Sequence, residues 1–331
     1  MYEHAYHTED LGDSAFLITG GAGFIGSNLA EYLVKYRAGK VRVLDNFATG
    51  HQKNVNALLD YPGFELIEGD IRDIETCRRA CKGMDFISHQ AALGSVPRSV
   101  KDPMTTNEVN IAGFLNVLQA AREEGAKKMV YAASSSTYGD SAGLPKVEDR
   151  IGNPLSPYAV TKYVNELYGG VFSSLYGFHT IGLRYFNVFG PRQDPEGPYA
   201  AVIPLFIRAA LRGESPRVHG DGEQTRDFTF VENAVQANIK ALLEGRRLDR
   251  HEVLNVALGA NISLNDLWEL IKELSGARVN PVHDSARAGD VRNSLADISK
   301  ASRLIGYDPR IDVGLGLKET YGWYQQNQNE L

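Results

Sequence analysis

The chain has 331 residues, enough for about two domains at roughly 150 residues each, and its 43% hydrophobic and 23% charged content excludes a disordered or fibrous protein. With 35 Lys and Arg against 41 Asp and Glu, the net charge of -6 argues against nucleic acid or an anionic membrane as the main partner. The two cysteines, Cys77 and Cys81, lie four apart with no second pair to complete a metal site and read as reduced helix residues.

Residues 1–14 are polar and acidic, without the basic start and apolar run of a secretory signal. No run of eighteen apolar residues follows, and the reading is a cytoplasmic protein with a short N-terminal extension. Residues 15–19 are a short apolar run that predicts a strand. The run ends in Gly20-Gly21-Ala22-Gly23-Phe24-Ile25-Gly26, after which Phe24, Leu29, Leu33 and Tyr36 fall at helical spacing. Glycines between a strand and a helix suit a pyrophosphate: they permit positive φ and close backbone approach, and the helix N-terminus offers unpaired N–H groups. Glycines alone also mark ordinary turns.

The second strand, at 41–44, leads into Asp45, where a carboxylate would accept hydrogen bonds from an adenosine ribose and repel a 2′-phosphate. NAD is therefore favoured over NADP, although in isolation Asp45 would read as a turn residue. Asp70, after 64–69, is a similar strand-end candidate. Further strands are predicted at 64–67, 85–89, 129–133 and 180–184, with helices around Cys77, at 105–124 and at 157–175. This alternation predicts an α/β fold, a Rossmann-type doubly wound parallel sheet over residues 1–186. Beyond Asn187, prolines and glycines punctuate 190–204 and the rhythm lapses, so 187–331 reads as a smaller C-terminal substrate-binding region, with strands returning to the main sheet left open. His89 reads as a strand histidine satisfied by backbone partners, Gln90-Ala91-Ala92 as backbone running along the cofactor, and Trp268 and Trp323 as packing residues.

Tyr158 and Lys162 are four apart in a predicted helix and share a face. An ammonium and a positive nicotinamide ring both favour the ionised phenol, which suits acid–base work. A solvated helix face is the alternative. Ser134-Ser135-Ser136 follows the strand at 129–133, at the carboxyl end where open α/β sheets bind ligands.

The glycine turn, Ser134 and Tyr158-x-x-x-Lys162 together resemble the extended short-chain dehydrogenase/reductase family, and the resemblance covers nearly the whole chain. Residues 183–190, Arg226-Asp227-Phe228 and Arg287-Ala288-Gly289-Asp290 resemble its nicotinamide-side and diphosphate-binding segments. Residues 89–99 and 133–139 are most similar to the bacterial UDP-N-acetylglucosamine 4-epimerases. The resemblance implies Ser134, Tyr158 and Lys162 as the catalytic set. It implies cofactor contacts from Gly20, Gly23, Phe24, Ile25, Gly26, Asp45, Asn46, Thr49, Gly50, Asp70, Ile71, Gln90, Ala91, Ala92, Tyr158, Lys162 and Tyr185. Around a UDP-sugar it implies Gly94, Ser95, Ser134, Ser135, Ser136, Tyr158, Asn187, Gln193, Ala201, Val202, Arg226, Arg287, Asp290 and Ser294. The arginines make independent sense, because guanidinium pairs two-pronged with phosphate.

Galactose-preferring relatives often carry a bulky aromatic at the position matching Ser294, and a small residue leaves room for an N-acetyl group at sugar carbon 2. The implied activity is 4-epimerisation of UDP-N-acetylglucosamine and UDP-N-acetylgalactosamine with tightly bound NAD, extending to plain or uronic sugars. Three rivals stand beside it. A 4,6-dehydratase would carry an Asp-Glu pair where Ser135 and Ser136 stand. A UDP-uronate decarboxylase could use Arg98 or another basic residue for the carboxylate. A non-catalytic sensor of NAD or sugar nucleotide would have no need of the Ser134, Tyr158 and Lys162 set. Apolar positions over more than one face of the helices at 105–124 and 157–175 suit a homodimer contact, which the resemblance also implies.

Overall fold

Phe16 and Ile18 turn to one face of their strand and Leu17 to the other, and all three are buried, as a strand covered by helices on both sides requires. The computed structural model describes residues 1–196, 200–243, 251–285 and 292–328. In chain order the first part is β1 (Ala15–Thr19), α1 (Phe24–Lys35), β2 (Lys40–Asp45), β3 (Phe64–Glu68), α2 (Ile74–Cys81) and β4 (Phe86–His89). It continues with α3 (Val96–Lys101), α4 (Pro103–Asn107), α5 (Phe114–Glu123), β5 (Lys128–Ser134), α6 (Pro157–Tyr176) and β6 (Thr180–Tyr185). A π turn, Glu108–Gly113, joins α4 to α5. There follow β7 (Val188–Phe189), α7 (Val202–Arg212), β8 (Arg217–His219), β9 (Thr225–Arg226), β10 (Thr229–Phe230), α8 (Val231–Leu243) and β11 (Glu252–Val256). The chain ends with β12 (Ile262–Ser263), α9 (Leu264–Ser275), β13 (Val282–Asp284), α10 (Ser299–Ile305) and α11 (Val313–Gln326).

The main sheet has the order β11-β6-β5-β4-β1-β2-β3, and all its pairings are parallel. The order reverses between β1 and β4, and there the loops after β1, β4 and β5 open a crevice at the carboxyl ends of the strands. One face of the sheet packs on α1 and α8 and the other on α2, α5 and α6. Past residue 187 the chain crosses back: α8 is buried along its whole length against α1 and the sheet, and β11 pairs with β6 as an edge strand. The βα rhythm thus resumes after its lapse, and the smaller region is made of β7–β10, α7, α9, β12, β13 and α11 around a separate core that includes Phe206 and Trp268. Trp323 on α11 packs at the edge of that core.

Helix ends follow side-chain chemistry. Asp73 accepts from the N–H groups of Glu75 and Thr76 at the start of α2, and Ser156, followed by Pro157, accepts from Ala159 N–H at the start of α6, which stops at Gly177 with φ of 66°. Both oxygens of Glu166 on α6 pair with Arg184 on β6 at 2.8 and 2.7 Å in the interior, tying the helix that carries Tyr158 to the sheet. Residues 1–14 do not trail away: Tyr2 is fully buried, its N–H donates to Glu232 at 2.9 Å and its hydroxyl to Asn28 at 3.0 Å, and Leu11 is buried in the main core. Cys77 and Cys81 are buried and free in α2, and burial pushes the Cys77 thiol up to about 12, out of reach of easy ionisation. Among the described residues, no helix is long and apolar enough to cross a membrane.

Candidate active site

Gly20 leaves β1 with φ of 68°, and a Cβ there would stand 2.6 Å from Ala91 N; a Cβ on Gly26 would run into the Gly20 carbonyl oxygen. The turn can therefore hug only a ligand that approaches its bare backbone. Gly23 opens α1 without a side-chain cap and no acid sits in the first turn, which leaves the helix N–H groups for an anion. These features fit a dinucleotide pyrophosphate. They line one wall of a cleft of about 610 Å³, together with Phe24, Ile25, Asn46, Thr49, Gly50, Ile71, Gln90, Ala91, Ala92 and Tyr185.

Asp45 is buried at the same wall, with one oxygen accepting from Ala22 N–H at 2.9 Å and the other from Phe47 N–H at 2.8 Å. These bonds fix the carboxylate while each oxygen keeps a lone pair for a ribose hydroxyl. Asp70 lies farther along the cleft, and the Arg72 guanidinium holds its carboxyl down to about 2. Asn46 also donates to it, at 2.9 Å.

At the inner end of the cleft stand Ser134, Tyr158 and Lys162. Lys162 is buried, donates to Ala132 O at 2.7 Å, and its ammonium lies 5.9 Å from the Tyr158 ring centre. Burial lowers it to about 8. Burial likewise raises the Tyr158 phenol, while a hydrogen bond with Ser134 lowers it. Without a ligand, then, burial outweighs the Ser134 bond, and further positive charge is needed to make the phenolate. Ser134 Oγ accepts from both the N–H and the hydroxyl of Ser136, at 3.1 and 2.8 Å. With those acceptor directions taken, its own proton is left to donate towards Tyr158 or a ligand. Ser136 therefore orients Ser134.

Two further cavities join the cleft. One, of about 300 Å³, is lined by Ser134, Ser135, Ser136, Lys146, Arg226 and Ser294, among others. The other, of about 600 Å³, includes Ala201, Val202, Phe206, Arg217, His219 and Arg226. Asn187, with φ of 37°, lines all three. A dinucleotide, a sugar and a second nucleotide can thus meet at one asparagine.

Gly94 lies on the dinucleotide cleft, but the Ser95 hydroxyl is occupied in capping α3 through Arg98 N–H at 3.3 Å. Gln193 lines none of the three cavities; its amide donates to Val188 O at 3.1 Å, and its buried Oε1 has no partner among the described residues. Arg287 and Asp290 lie outside the described residues. Arg98 is likewise absent from the cavity walls, which leaves the carboxylate role imagined for it without geometric support. His89 is partnered by the Thr19 hydroxyl at 2.8 Å rather than by backbone, and burial lowers it to about 3, so it is neutral. Lys146 was not anticipated: a lysine after a proline in a polar loop carries no signal that it will end 7% exposed on a cavity wall.

The family model described as the NAD dependent epimerase/dehydratase family matches residues 16–257. A putative UDP-glucose 4-epimerase of Methanocaldococcus jannaschii is 39% identical over 313 residues, covering 94% of this chain and 98% of that protein. A UDP-N-acetyl-alpha-D-glucosaminuronate decarboxylase of Bacillus cytotoxicus is 35% identical, covering 95% of this chain and 98% of its own length. Among solved structures, a UDP-N-acetylglucosamine 4-epimerase from Methanobrevibacter ruminantium in complex with UDP-N-acetylmuramic acid superimposes with a TM-score of 0.90 at 39% identity, covering 95% of this chain and 99% of that one.

Proposed function

The chain belongs to the NAD dependent epimerase/dehydratase family, and on that footing we propose that it is a UDP-sugar 4-epimerase whose preferred pair is UDP-N-acetylglucosamine and UDP-N-acetylgalactosamine. The observation that carries the reading is the junction at Asn187, where the cleft holding Tyr158 meets a sugar-sized cavity and a nucleotide-sized one. The small Ser294 on the sugar cavity supports N-acetylated substrates, since an aromatic there would fill the space of the acetyl group. Ser135 and Ser136, in place of an acid and a base, count against dehydration.

NAD, when bound, supplies the two-electron exchange at sugar carbon 4 and a positive charge beside the phenol. Tyr158 accepts the proton of the 4-hydroxyl and later returns it. Ser134 donates to the sugar oxygen or the phenolate, and the Lys162 ammonium, fixed on Ala132 O, steadies the negative charge. The sugar passes through a flat 4-ketone. Arg226, at the wall shared by the sugar and nucleotide cavities, holds the diphosphate while the sugar turns about its link to it; the opposite face of carbon 4 is then presented for return of the two electrons and hydrogen, which inverts the configuration, and Tyr158 gives its proton back to the oxygen. The protein as purified, given UDP-N-acetylglucosamine and no added oxidant, is expected to form UDP-N-acetylgalactosamine, read by chromatography. Higher catalytic efficiency with UDP-glucose would overturn the preference for acetylated sugars.

A second reading rests on Lys146. Its buried ammonium donates to the Ser141 carbonyl and pairs with no carboxylate among the described residues, so a uronic acid carboxylate in the cavity would find a cation. UDP-N-acetylglucosaminuronate as substrate, and release of carbon dioxide from it, are the arms that separate acidic-sugar epimerisation from decarboxylation.

Lys162→Ala is expected to move the acid limb of the kcat profile upward in pH, because the phenolate then forms without a neighbouring ammonium. Initial rates from about pH 6 to about pH 10 cover the relevant titrations. An unmoved limb would dissociate Lys162 from Tyr158. A homodimer is also proposed: Val160, Leu167, Val171 and Leu175 form one exposed apolar face of α6, with Leu175 69% exposed, and Met104 on α4 is exposed as well. Leu167→Asp is expected to give a monomer by light scattering, and a wild-type monomer at working concentration would remove the proposal.

A further inference from the structure

Asp227 follows Arg226 on the chain, is fully buried, and takes no part in the steps above. No salt bridge among the described residues involves it; instead its carboxylate gathers backbone. One oxygen accepts from Leu258 N–H at 2.9 Å, the other from Gly259 N–H at 3.2 Å and Ala296 N–H at 3.1 Å. Leu258 and Gly259 form the turn after β11, and Ala296 stands two residues beyond Ser294, in the segment that closes one side of the sugar cavity. The Asp227 carbonyl also accepts from the Asn187 amide at 3.0 Å. A single residue thus links the edge of the main sheet, the junction asparagine and the segment bearing Ser294. An asparagine could not replace it, since its NH₂ would face an N–H group where the carboxylate presents an acceptor. Burying an unpaired carboxylate is unfavourable, and what it obtains here is three acceptor contacts on two separate segments.

We propose that Asp227 is a positioning residue for the sugar: as a carboxylate it holds the 293–297 segment against the sugar cavity, so that affinity for the hexose, rather than for the nucleotide, depends on its charge. The inference takes the sugar cavity of the proposed function as its premise. Burial pushes the Asp227 carboxyl up to about 7, against the pull of its three N–H donors. An acid raised in this way is ionised above that pH and protonated below it, and loss of the negative charge weakens all three N–H bonds that the carboxylate accepts. The clasp is therefore closed above about pH 7 and loosened as the pH falls. Tyr307 is the titratable side chain whose charge state Asp227 affects most directly. Its phenol, bonded to Ala257 O at 2.9 Å, is pushed up by burial and then by Asp227. Arg226 lies on Asp227's own segment. Lys146 and Asp297 flank Ala296 through backbone bonds, Lys146 N–H to Leu295 O at 2.7 Å and Asp297 N–H to Lys146 O at 2.9 Å.

The test compares calorimetric affinities for UDP-N-acetylglucosamine and for UDP supplied as its terminal methyl ester, which like the sugar nucleotide has no phosphate oxygen titrating near neutrality, using the protein as purified, at about pH 8 and about pH 6. For a group titrating near 7, the ratio of the two dissociation constants is expected to rise by up to about tenfold at the lower pH. Contributions of the nucleotide cavity, His219 included, are shared by both ligands and cancel in the ratio. A ratio that stays flat in the wild type overturns the proposal without any variant. Asp227→Asn is expected to show the weak-sugar ratio at both pH values, with UDP affinity and NAD content unchanged; equal weakening of UDP would mean that Asp227 acts through Arg226, and the proposal would fail. Absence of turnover would refute the substrate assignment alone, because the binding ratio is read without catalysis.

Discussion

Tyr158→Phe is expected to lower kcat for UDP-N-acetylglucosamine by about 10³-fold, within the range typical for loss of a general acid–base group and equivalent to about 4 kcal/mol of barrier. The dissociation constant for the UDP-sugar should change little. The ring remains, half-buried in the cleft wall, and in the proposed mode of binding the diphosphate and nucleotide are held elsewhere, by Arg226 and the cavity around Phe206. What disappears is the one oxygen that, among the described residues, the proposal assigns to accept the 4-hydroxyl proton beside Ser134 and Lys162. Ser134 cannot take over: its oxygen already accepts two hydrogen bonds from Ser136, and a hydroxyl of ordinary pKa is a poor base. Lys162 cannot either, since its Nζ is turned to the Ala132 carbonyl. Single-turnover and steady-state rates measured with the binding constant decide the matter. Near-normal turnover would reject Tyr158 as the base, and a parallel loss of binding would make it a packing residue.

Gly26→Ala is expected to yield protein purified almost without NAD and with activity below about 1% of wild type, the loss of an interaction on which the whole reaction depends. Two effects oppose each other at this position. Alanine is the better helix former by about 1 kcal/mol, so in free space the change would stabilise α1. Here the new Cβ would collide with the Gly20 carbonyl oxygen and come within 2.8 Å of Gly21 Cα, both backbone atoms that no rotamer change can move aside. The turn must open by about 1 Å to restore ordinary contact, which displaces the N–H groups proposed to face the pyrophosphate and costs more than the propensity returns. Acid extraction followed by an enzymatic NAD assay gives occupancy directly. Full occupancy in the variant would mean that the close helix–turn contact has no bearing on cofactor binding.

Much of the main sheet could be read from local pattern, because its strands are buried on both faces and their runs are short, apolar and bounded by turn residues. β1 begins and ends where the apolar run of 15–19 does, and α6 differs from the reading 157–175 by one residue. The Ser134, Tyr158 and Lys162 set was legible for a related reason: each sits at a place that local rules define, a strand end or a helix face. What escaped were relations between distant segments. β11 is a half-polar edge strand whose partner β6 lies some seventy residues earlier, as the pairing of Glu252 with Ile181 illustrates, and no local signal joins them. Tyr2 and Leu11 sit in a polar stretch that gave no hint of burial against α1 and α8. Asp227 and Lys146 matter through contacts with residues 258–259 and 295–297, which spacing along the chain cannot reveal. The histidine in β4 was placed on the correct strand but given the wrong partner, since the hydroxyl of Thr19 reaches it from the adjacent strand.

The π turn between α4 and α5 holds one more residue than a regular helix would use over the same rise. Asn110 lies within it, and its amide both accepts from Leu93 N–H at 2.8 Å and donates to Leu93 O at 3.1 Å, while a further bond reaches Thr161 on α6. Shortening the segment by a single codon would yield a straighter and locally sturdier helix, yet it would rotate every later side chain by about a hundred degrees and release the Leu93 backbone from its anchor. The irregularity is thus a setting of aim, and the length of this stretch should prove far less forgiving of deletion than its composition is of substitution.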